Sequence, residues 1–460
     1  MSNPRPIRTA RDRGAVALST DLYQLTMGAG YDALGMEAPA TFSLFVRALP
    51  QVRSFLVVAG VAEALEKLTS LRFDAAGLDY LRSTGQIRAE FIERLATLRF
   101  TGDVWAVPDG RVVFANEPVL EVTAPVIEAQ LAETLLINCI HYPMTVASKA
   151  VRSVWAAPQA NMIDFGLRRT PGLEAGLEVA RVCAMVGFTA TSNLLAGEQF
   201  GLPVAGTVAH SFIEAFDSEL EAFRAFARTF PGPVTLLIDT YDTLRGAHHA
   251  VQVARELAAE GRRVGAVRID SGDLAALSRG VRAILDDGGF PDIRIIASGG
   301  LDEYQIAQLT AANAPIDAYG VGTRIGSSED APTLDMVYKL VEYDGRPALK
   351  LSSGKQTLVG PKQVWRRYAA GRMTEDVIAA RDEPSPGEGW HPLLAPVVQQ
   401  GRILSESSLA EARARHVAEM ATLPPELHAL DHQAEYPVNI SPELARRNAA
   451  AIEAVRQREG

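Results

Sequence analysis

Residues 234–300, VTLLIDTYDTLRGAHHAVQVARELAAEGRRVGAVRIDSGDLAALSRGVRAILDDGGFPDIRIIASGG, carry the pattern that decides the fold. Three short β-rich runs (VTLLIDTYD, VGAVRIDSGD and IRIIASGG) alternate with two helical stretches, TLRGAHHAVQVARELAAEG and DLAALSRGVRAILDDGG. Strands joined through a helix run parallel, because the helix carries the chain back to the end from which the next strand must start. The alternation extends backwards through NMIDFG (161–166), GFTATSN (187–193) and PVAGTVAH (203–210), and forwards to AYGVGT (318–323). LEAGLEVARVCAMV and FIEAFDSELEAFRAFARTF supply further helices between them. Seven such runs, without one dominant dinucleotide motif, predict an α/β chain with a (β/α) barrel over residues 127–335. Nearly every run begins apolar and ends in polar, charged or glycine residues, which places those ends on the carboxyl rim where barrel enzymes keep their sites.

Working outward, residues 15–126 mix helix and strand and predict an N-terminal α+β domain. SFLVVAGVAEALEKLTSL (54–71) reads as a short strand and an amphipathic helix, and FTGDVWAVPDGRVVFANEPVLEVTAP (100–125) as an antiparallel sheet module broken by Asp-Gly and Pro. IEAQLAETLLINCIHYPMTVASKAVRSVWA (127–156) has helical periodicity. Beyond the barrel, MVYKLVEYDGRPALKLS predicts a hairpin around Asp344-Gly345. The C-terminal segment, 336–460, is expected to pack back on the first domain, and residues 1–14, rich in Arg and Pro, read as a disordered tail.

Composition excludes several classes. The net charge of −10 argues against an obligatory nucleic-acid partner, and no apolar run approaches the roughly 20 residues that cross a bilayer. Two cysteines, Cys139 and Cys183, each inside an apolar helical stretch, read as buried reduced thiols of a cytoplasmic protein rather than a disulfide framework or metal site.

The rim segments carry the chemistry. Ser298, Gly299 and Gly300, then Gly320, Gly322 and Thr323, form two successive late loops whose bare backbone can offer amides to phosphate oxygens. Arg268 and Asp270 alternate on one strand face, while Asp273 reads as a helix-opening carboxylate. Asp239 and Asp242 end the preceding run, and carboxylates beside a phosphate site point to Mg²⁺ held partly through water. Phe165, Arg168 and Arg169 offer an aromatic face and guanidinium groups suited to an aromatic carboxylate or phosphate; a core Phe beside surface arginines fits that motif equally well. His210 is set apart from the other seven histidines only by its place on the rim.

Taken in order, DLYQLTMGAGY, FVRALP, ANEPVLEVTAP, EAQLAETLLIN, DFGLRRTPG, GFTATSNLLAGEQFG, PVAGTVAHSF, LLIDTYDT, VRIDSGDL, ASGGLDEY and GVGTRIG resemble nicotinate phosphoribosyltransferases from about residue 18 to 365. The resemblance implies a sandwich-like N-terminal domain, an irregular (β/α) barrel and a homodimer with shared active sites, in which Tyr23 of one subunit stacks with Phe165 of the other around a pyridine ring. It places Arg168 and Arg268 along the base and sugar-phosphate pocket, and Asp270, with Asp239 through Mg²⁺, against the ribose and pyrophosphate. The Gly299-Gly300 and Gly322-Thr323 loops would hold the 5′-phosphate, and His210 aligns with a histidine that family members phosphorylate using ATP. Thr191, Ser192 and Asn193 lie at the base: relatives that use nicotinamide carry an acid near the position of Ser192, which would repel the nicotinate carboxylate. The expected substrates are therefore nicotinate, phosphoribosyl pyrophosphate and ATP.

Three rivals remain open. Quinolinate phosphoribosyltransferase would need a more basic pocket and has no use for GTVAHSF, and nicotinamide use is disfavoured by Ser192. A sugar-phosphate barrel isomerase or aldolase often shows a lysine or a clear Glu/His base at a strand end, and none of the seven runs ends in lysine.

Overall fold

The computed structural model describes residues 13–351, 357–405 and 407–459. The first twelve residues of the expected tail lie outside that set, and Arg13–Val16 form a single helical turn. The chain divides into two compact units: Val146–Pro332, and the described parts of Met1–Thr145 with Thr333–Gly460.

The unit Val146–Pro332 is built on one parallel sheet. Its strands are β1 (Asn161–Asp164), β2 (Ala190–Thr191), β3 (Val234–Leu237), β4 (Val264–Ile269), β5 (Arg294–Ala297) and β6 (Ala318–Val321). They lie in the order β2-β1-β6-β5-β4-β3, each neighbouring pair parallel. Where seven barrel strands were expected, six form this half-barrel sheet among the described residues. The run PVAGTVAH contributes only one bridge, Val204 to Thr191, through Thr191 N to Pro203 O and Ala205 N to Thr191 O. Pro203 has no N–H to extend the ladder and Gly206 no side chain to pack, so the pairing stops there.

The connecting helices begin at side-chain caps. Asp242, Asp273 and Asp302 accept from the backbone N–H of Arg245, Ala276 and Gln305, opening the helices Thr243–Ala259, Leu274–Asp287 and Glu303–Ala311. Each cap removes an orphan donor at a helix start and is worth roughly 1 kcal/mol. Apolar faces of these helices close over the sheet: Leu236, Val267, Ile269 and Ile295 are fully buried with Ala247, Ala250, Val281 and Leu285. At roughly 1.5–3 kcal/mol per buried aliphatic side chain, this packing makes the sheet a rigid base for the loops it carries.

The other unit contains a seven-stranded antiparallel sheet in the order Arg346–Pro347, Met336–Tyr343, Pro39–Val46, Pro118–Pro125, Asp103–Ala106, Ala395–Gln399 and Arg402–Ile403. Pro39–Val46, near its centre, is buried at every position after the first. The hairpin turns at Asp344 (φ +52°) and Gly345 (φ +68°), two positive φ angles that match the right-handed strand twist. A second sheet orders Trp390–Pro392, Lys362–Ala369, Arg372–Ala380 and Val438–Ile440. Beneath it Arg366, fully buried, pairs with Asp376 (2.6 Å) and Glu419. Cys139 and Cys183 are both buried; burial and the Asp164 carboxylate push the Cys183 thiol well above its ordinary range. Among the described residues no helix is long and apolar enough to cross a membrane.

Candidate active site

The strands of the parallel sheet finish close to one level. Ile269 and Tyr319 pair with Ala297, and Asp164 pairs with Val321 and Thr191. Residues that follow these strands therefore emerge on a common carboxyl rim.

Arg268, near the end of β4, is the hub of that rim. Its Nε donates to Ser298 Oγ (2.7 Å), its Nη1 to Thr207 Oγ1 (3.0 Å) and its Nη2 to Asp270 Oδ1. Its guanidinium carbon lies 5.4 Å from the centroid of the Phe165 ring. Three of the five guanidinium N–H donors are thus engaged among the described residues, and two remain for an anion. Ser298, buried, donates in turn to Asp270 Oδ1. Asp270 Oδ2 lies 4.0 Å from His210 Nε2, and His210 Nδ1 is 3.1 Å from Thr240 Oγ1. The imidazole is 39% exposed, open enough to meet a ligand. Asp239 Oδ2 accepts from Asp270 N (2.9 Å) and Ser271 Oγ (2.6 Å), whereas its Oδ1 is buried without a partner among the described residues.

Phe165 is set by the strand before it. Asp164 is buried and accepts from Gly166 N (2.7 Å) and Thr191 Oγ1 (2.7 Å), which closes the turn that carries the ring; burial pushes the Asp164 carboxyl up. Phe165 N donates to Val321 O (2.8 Å). Gly320 and Gly322 make room for this residue: a Cβ at 320 would lie 2.4 Å from Phe165 Cε2, and one at 322 would lie 2.5 Å from Phe165 O. At Gly299, φ +98°, a Cβ would lie 1.8 Å from Asp270 O, while at Gly300, φ +73°, it would meet nothing within 4 Å. Of the glycines expected to cradle phosphate, Gly300 has the barest backbone; the others also solve packing problems.

The structure thus brings together Phe165, His210, Asp239, Arg268, Asp270, Ser298, Gly299 and Gly320. Other expected residues make no hydrogen bond to Arg268, the hub of this cluster, among the described residues, or belong to the other unit. Arg168 is exposed on the turn Leu167–Arg169, and Ser192 is exposed with its N–H on Asp164 O (2.8 Å). The Thr191 hydroxyl is spent on Asp164, and Thr323 is exposed at the start of the short helix Thr323–Gly326. Asp242 and Asp273 cap helices. Tyr23 belongs to the other unit, 47% exposed on the helix Leu22–Ala33. Sequence reasoning missed Asp164 and Thr240. Both sit inside quoted motifs, DFGLRRTPG and LLIDTYDT, but their partners are 27 and 30 residues away.

An aromatic face under a guanidinium, with carboxylates and an imidazole beside it, can take a planar ring and a phosphorylated sugar together. Parallel α/β sheets that gather cations, carboxylates and glycine loops at their carboxyl ends form a class that handles phosphorylated ligands there, and this chain is of that class. Models of the nicotinate phosphoribosyltransferase N-terminal domain, the nicotinate phosphoribosyltransferase family and the nicotinate phosphoribosyltransferase C-terminal domain match residues 18–141, 160–366 and 388–447. The chain belongs to the nicotinate phosphoribosyltransferase family. It is 48% identical over 448 residues to nicotinate phosphoribosyltransferase pncB2 of Mycobacterium tuberculosis, covering 95% of each chain. The nicotinate phosphoribosyltransferase of Bacillus subtilis is 42% identical over 379 residues, 80% of this chain and 77% of the relative. Among solved structures, human nicotinic acid phosphoribosyltransferase aligns with a TM-score of 0.85 at 29% identity, over 94% of this chain and 99% of the other.

Proposed function

We propose that the protein is an ATP-coupled nicotinate phosphoribosyltransferase, forming nicotinate mononucleotide and pyrophosphate from nicotinate and phosphoribosyl pyrophosphate, in NAD biosynthesis. The observation that carries the reading is the cluster of Arg268, Asp270 and Ser298 over the Phe165 ring, with His210 Nε2 4.0 Å from Asp270. Phe165 offers a face to the pyridine ring, and the two spare Arg268 donors an anchor for an anionic group. The pyridine nitrogen is unprotonated near neutral pH, so it attacks C1 of the ribose without a general base. As the C1–O bond to pyrophosphate breaks, positive charge grows on the sugar and negative charge on the leaving group. Asp270 answers the first charge and Arg268 the second.

Mg²⁺ fits Asp239. Its buried Oδ1 has no partner among the described residues, and this carboxylate supports the backbone of Asp270. The described residues hold no group of three or more His, Cys, Asp or Glu placed for a metal, and Mg²⁺ commonly takes one or two carboxylates, with waters and substrate phosphates completing its shell. When bound it neutralises charge on the pyrophosphate.

His210 is the residue through which ATP acts. With its Nδ1 proton donated to Thr240 Oγ1, the Nε2 lone pair attacks the γ-phosphorus; the bond to the bridging oxygen breaks and ADP leaves with the electron pair. Later hydrolysis of the N–P bond returns imidazole and phosphate and drives the transfer. Neutral Ser192 leaves the base pocket free of an anion that would repel nicotinate. The protein works in the cytoplasm as a homodimer with shared sites, Tyr23 of one subunit reaching the ring held on Phe165 of the other, each subunit carrying an irregular (β/α) barrel.

The test is product formation from nicotinate, nicotinamide or quinolinate with phosphoribosyl pyrophosphate and Mg²⁺, with and without ATP, in wild type and His210→Ala. Nicotinate mononucleotide should form preferentially, stimulated by ATP with release of ADP, and the stimulation should vanish in His210→Ala. Full ATP stimulation in that variant would remove the phosphohistidine, and activity only with another base would remove the substrate assignment.

A further inference from the structure

We infer that an ion network behind the two late loops, buried at Lys149 and Glu303 and partly exposed at Arg324, fixes their spacing and makes Arg324 and Asp302 positioning residues for phosphoribosyl pyrophosphate. The inference rests on the reading that the Gly299-Gly300 and Gly322-Thr323 loops hold the 5′-phosphate.

These loops leave adjacent parallel strands, β5 and β6, and each runs into a helix. Asp302 joins them. Its Oδ1 caps the first helix by accepting from Tyr304 N (3.0 Å) and Gln305 N (2.9 Å), while its Oδ2 accepts from Arg324 Nη1 (2.6 Å) in the second. Arg324 also lies 3.3 Å from Glu329 through its Nε, so its fork is held from two sides.

A second tie lies deeper. Glu303, fully buried, receives Lys149 Nζ (2.8 Å) and Arg152 Nε (2.8 Å), and the same Lys149 reaches Asp330 (2.8 Å) beyond the second loop. Both loops are therefore fastened to one lysine as well as to each other. Apolar side chains of like volume would fill this space without the desolvation cost of buried charge. What ion pairs add is a fixed distance and direction between the segments they join, which a phosphate held between two loops requires. Arg324 has its Nη1 and Nε committed to carboxylates, which ties its guanidinium to the frame of the loops.

The experiment compares wild type, Arg324→Gln and Asp302→Asn. Arg324 is 38% exposed, and Asn retains the acceptor that caps the helix, so both variants fold. Steady-state kinetics would give KM for phosphoribosyl pyrophosphate and for nicotinate, and calorimetric titration would give the affinity for ribose 5-phosphate. Both variants should raise the phosphoribosyl pyrophosphate KM and weaken ribose 5-phosphate about tenfold, with kcat and the nicotinate KM within about twofold. Variants that keep wild-type KM and ribose 5-phosphate affinity, while wild type binds that probe, overturn the positioning role alone. A general loss in kcat and both KM values also overturns it, because a merely structural part would fail that way. A wild type with no affinity for ribose 5-phosphate and no turnover of phosphoribosyl pyrophosphate would overturn the phosphate reading and this inference with it.

Discussion

Replacing Gly299 by alanine should cripple the enzyme, whereas the same change one residue later should not. Gly299 has φ +98°, and a Cβ built on it would sit 1.8 Å from Asp270 O and 2.8 Å from Asp270 C. Both atoms are backbone, so no side chain can swing aside. Asp270 is held in turn by Asp239 Oδ2 on its N–H and by Arg268 and Ser298 on its carboxylate. Reaching a tolerable contact requires the loop or Asp270 to move by more than about 1 Å. A displacement of that size between reacting groups can cost on the order of 100-fold, and the left-handed backbone adds about 1–2 kcal/mol of strain. Gly300→Ala carries a similar strain at φ +73°, but its Cβ meets nothing within 4 Å. We expect kcat/KM for phosphoribosyl pyrophosphate to fall by roughly 10²–10³ in Gly299→Ala and by less than about tenfold in Gly300→Ala. Steady-state kinetics on both, with thermal melts to confirm folding, would decide. If the two variants lie within threefold of each other, the close approach of the loop to Asp270 is not what sets the site.

Two further outcomes follow from single side chains. Asp239→Asn keeps an acceptor for Asp270 N and Ser271 Oγ but loses the charge beside the orphan Oδ1. The Mg²⁺ concentration for half-maximal rate should rise about tenfold or more with little change in melting temperature, and an unchanged Mg²⁺ titration would release Asp239 from metal binding. His416 is buried with Nδ1 3.2 Å from Gly110 O, and burial holds its pKa at about 4. The unfolded chain takes up this proton near pH 6.5 and the folded chain does not, so stability is full above that pH and falls as pH drops toward 4, by roughly 3 kcal/mol for this group. Urea unfolding at pH 7.5 and 4.5 should show a larger loss in wild type than in His416→Gln; equal losses would refute the assignment.

The readable part of this protein was the part written in local periods. The β4 run and its helix could be read from VGAVRIDSGDL because alternation and an Asp at the helix start are properties of adjacent residues, and Asp273 does cap that helix. The hairpin at Asp344-Gly345 was legible for the same reason. PVAGTVAH shows the limit: its composition suits a strand, but strand formation needs a partner edge, and it finds only Thr191. The site divides along the same line. Arg268 and Asp270 share a strand face by spacing alone, and they are bonded. The grip of Thr191 on Asp164, and of Arg324 on Asp302, joins residues 27 and 22 positions apart through the order of the sheet, which no window along the chain contains. Glycine motifs are ambiguous for a further reason: Gly320 and Gly322 would look the same whether they bared amides to a phosphate or yielded space to Phe165, and the space is what the packing requires. A rim built this way depends on its supporting contacts as much as on the groups that meet the ligand. Changes at Asp164 or Gly299 should therefore move catalysis as far as changes at Arg268, because each sets the place from which such a group acts.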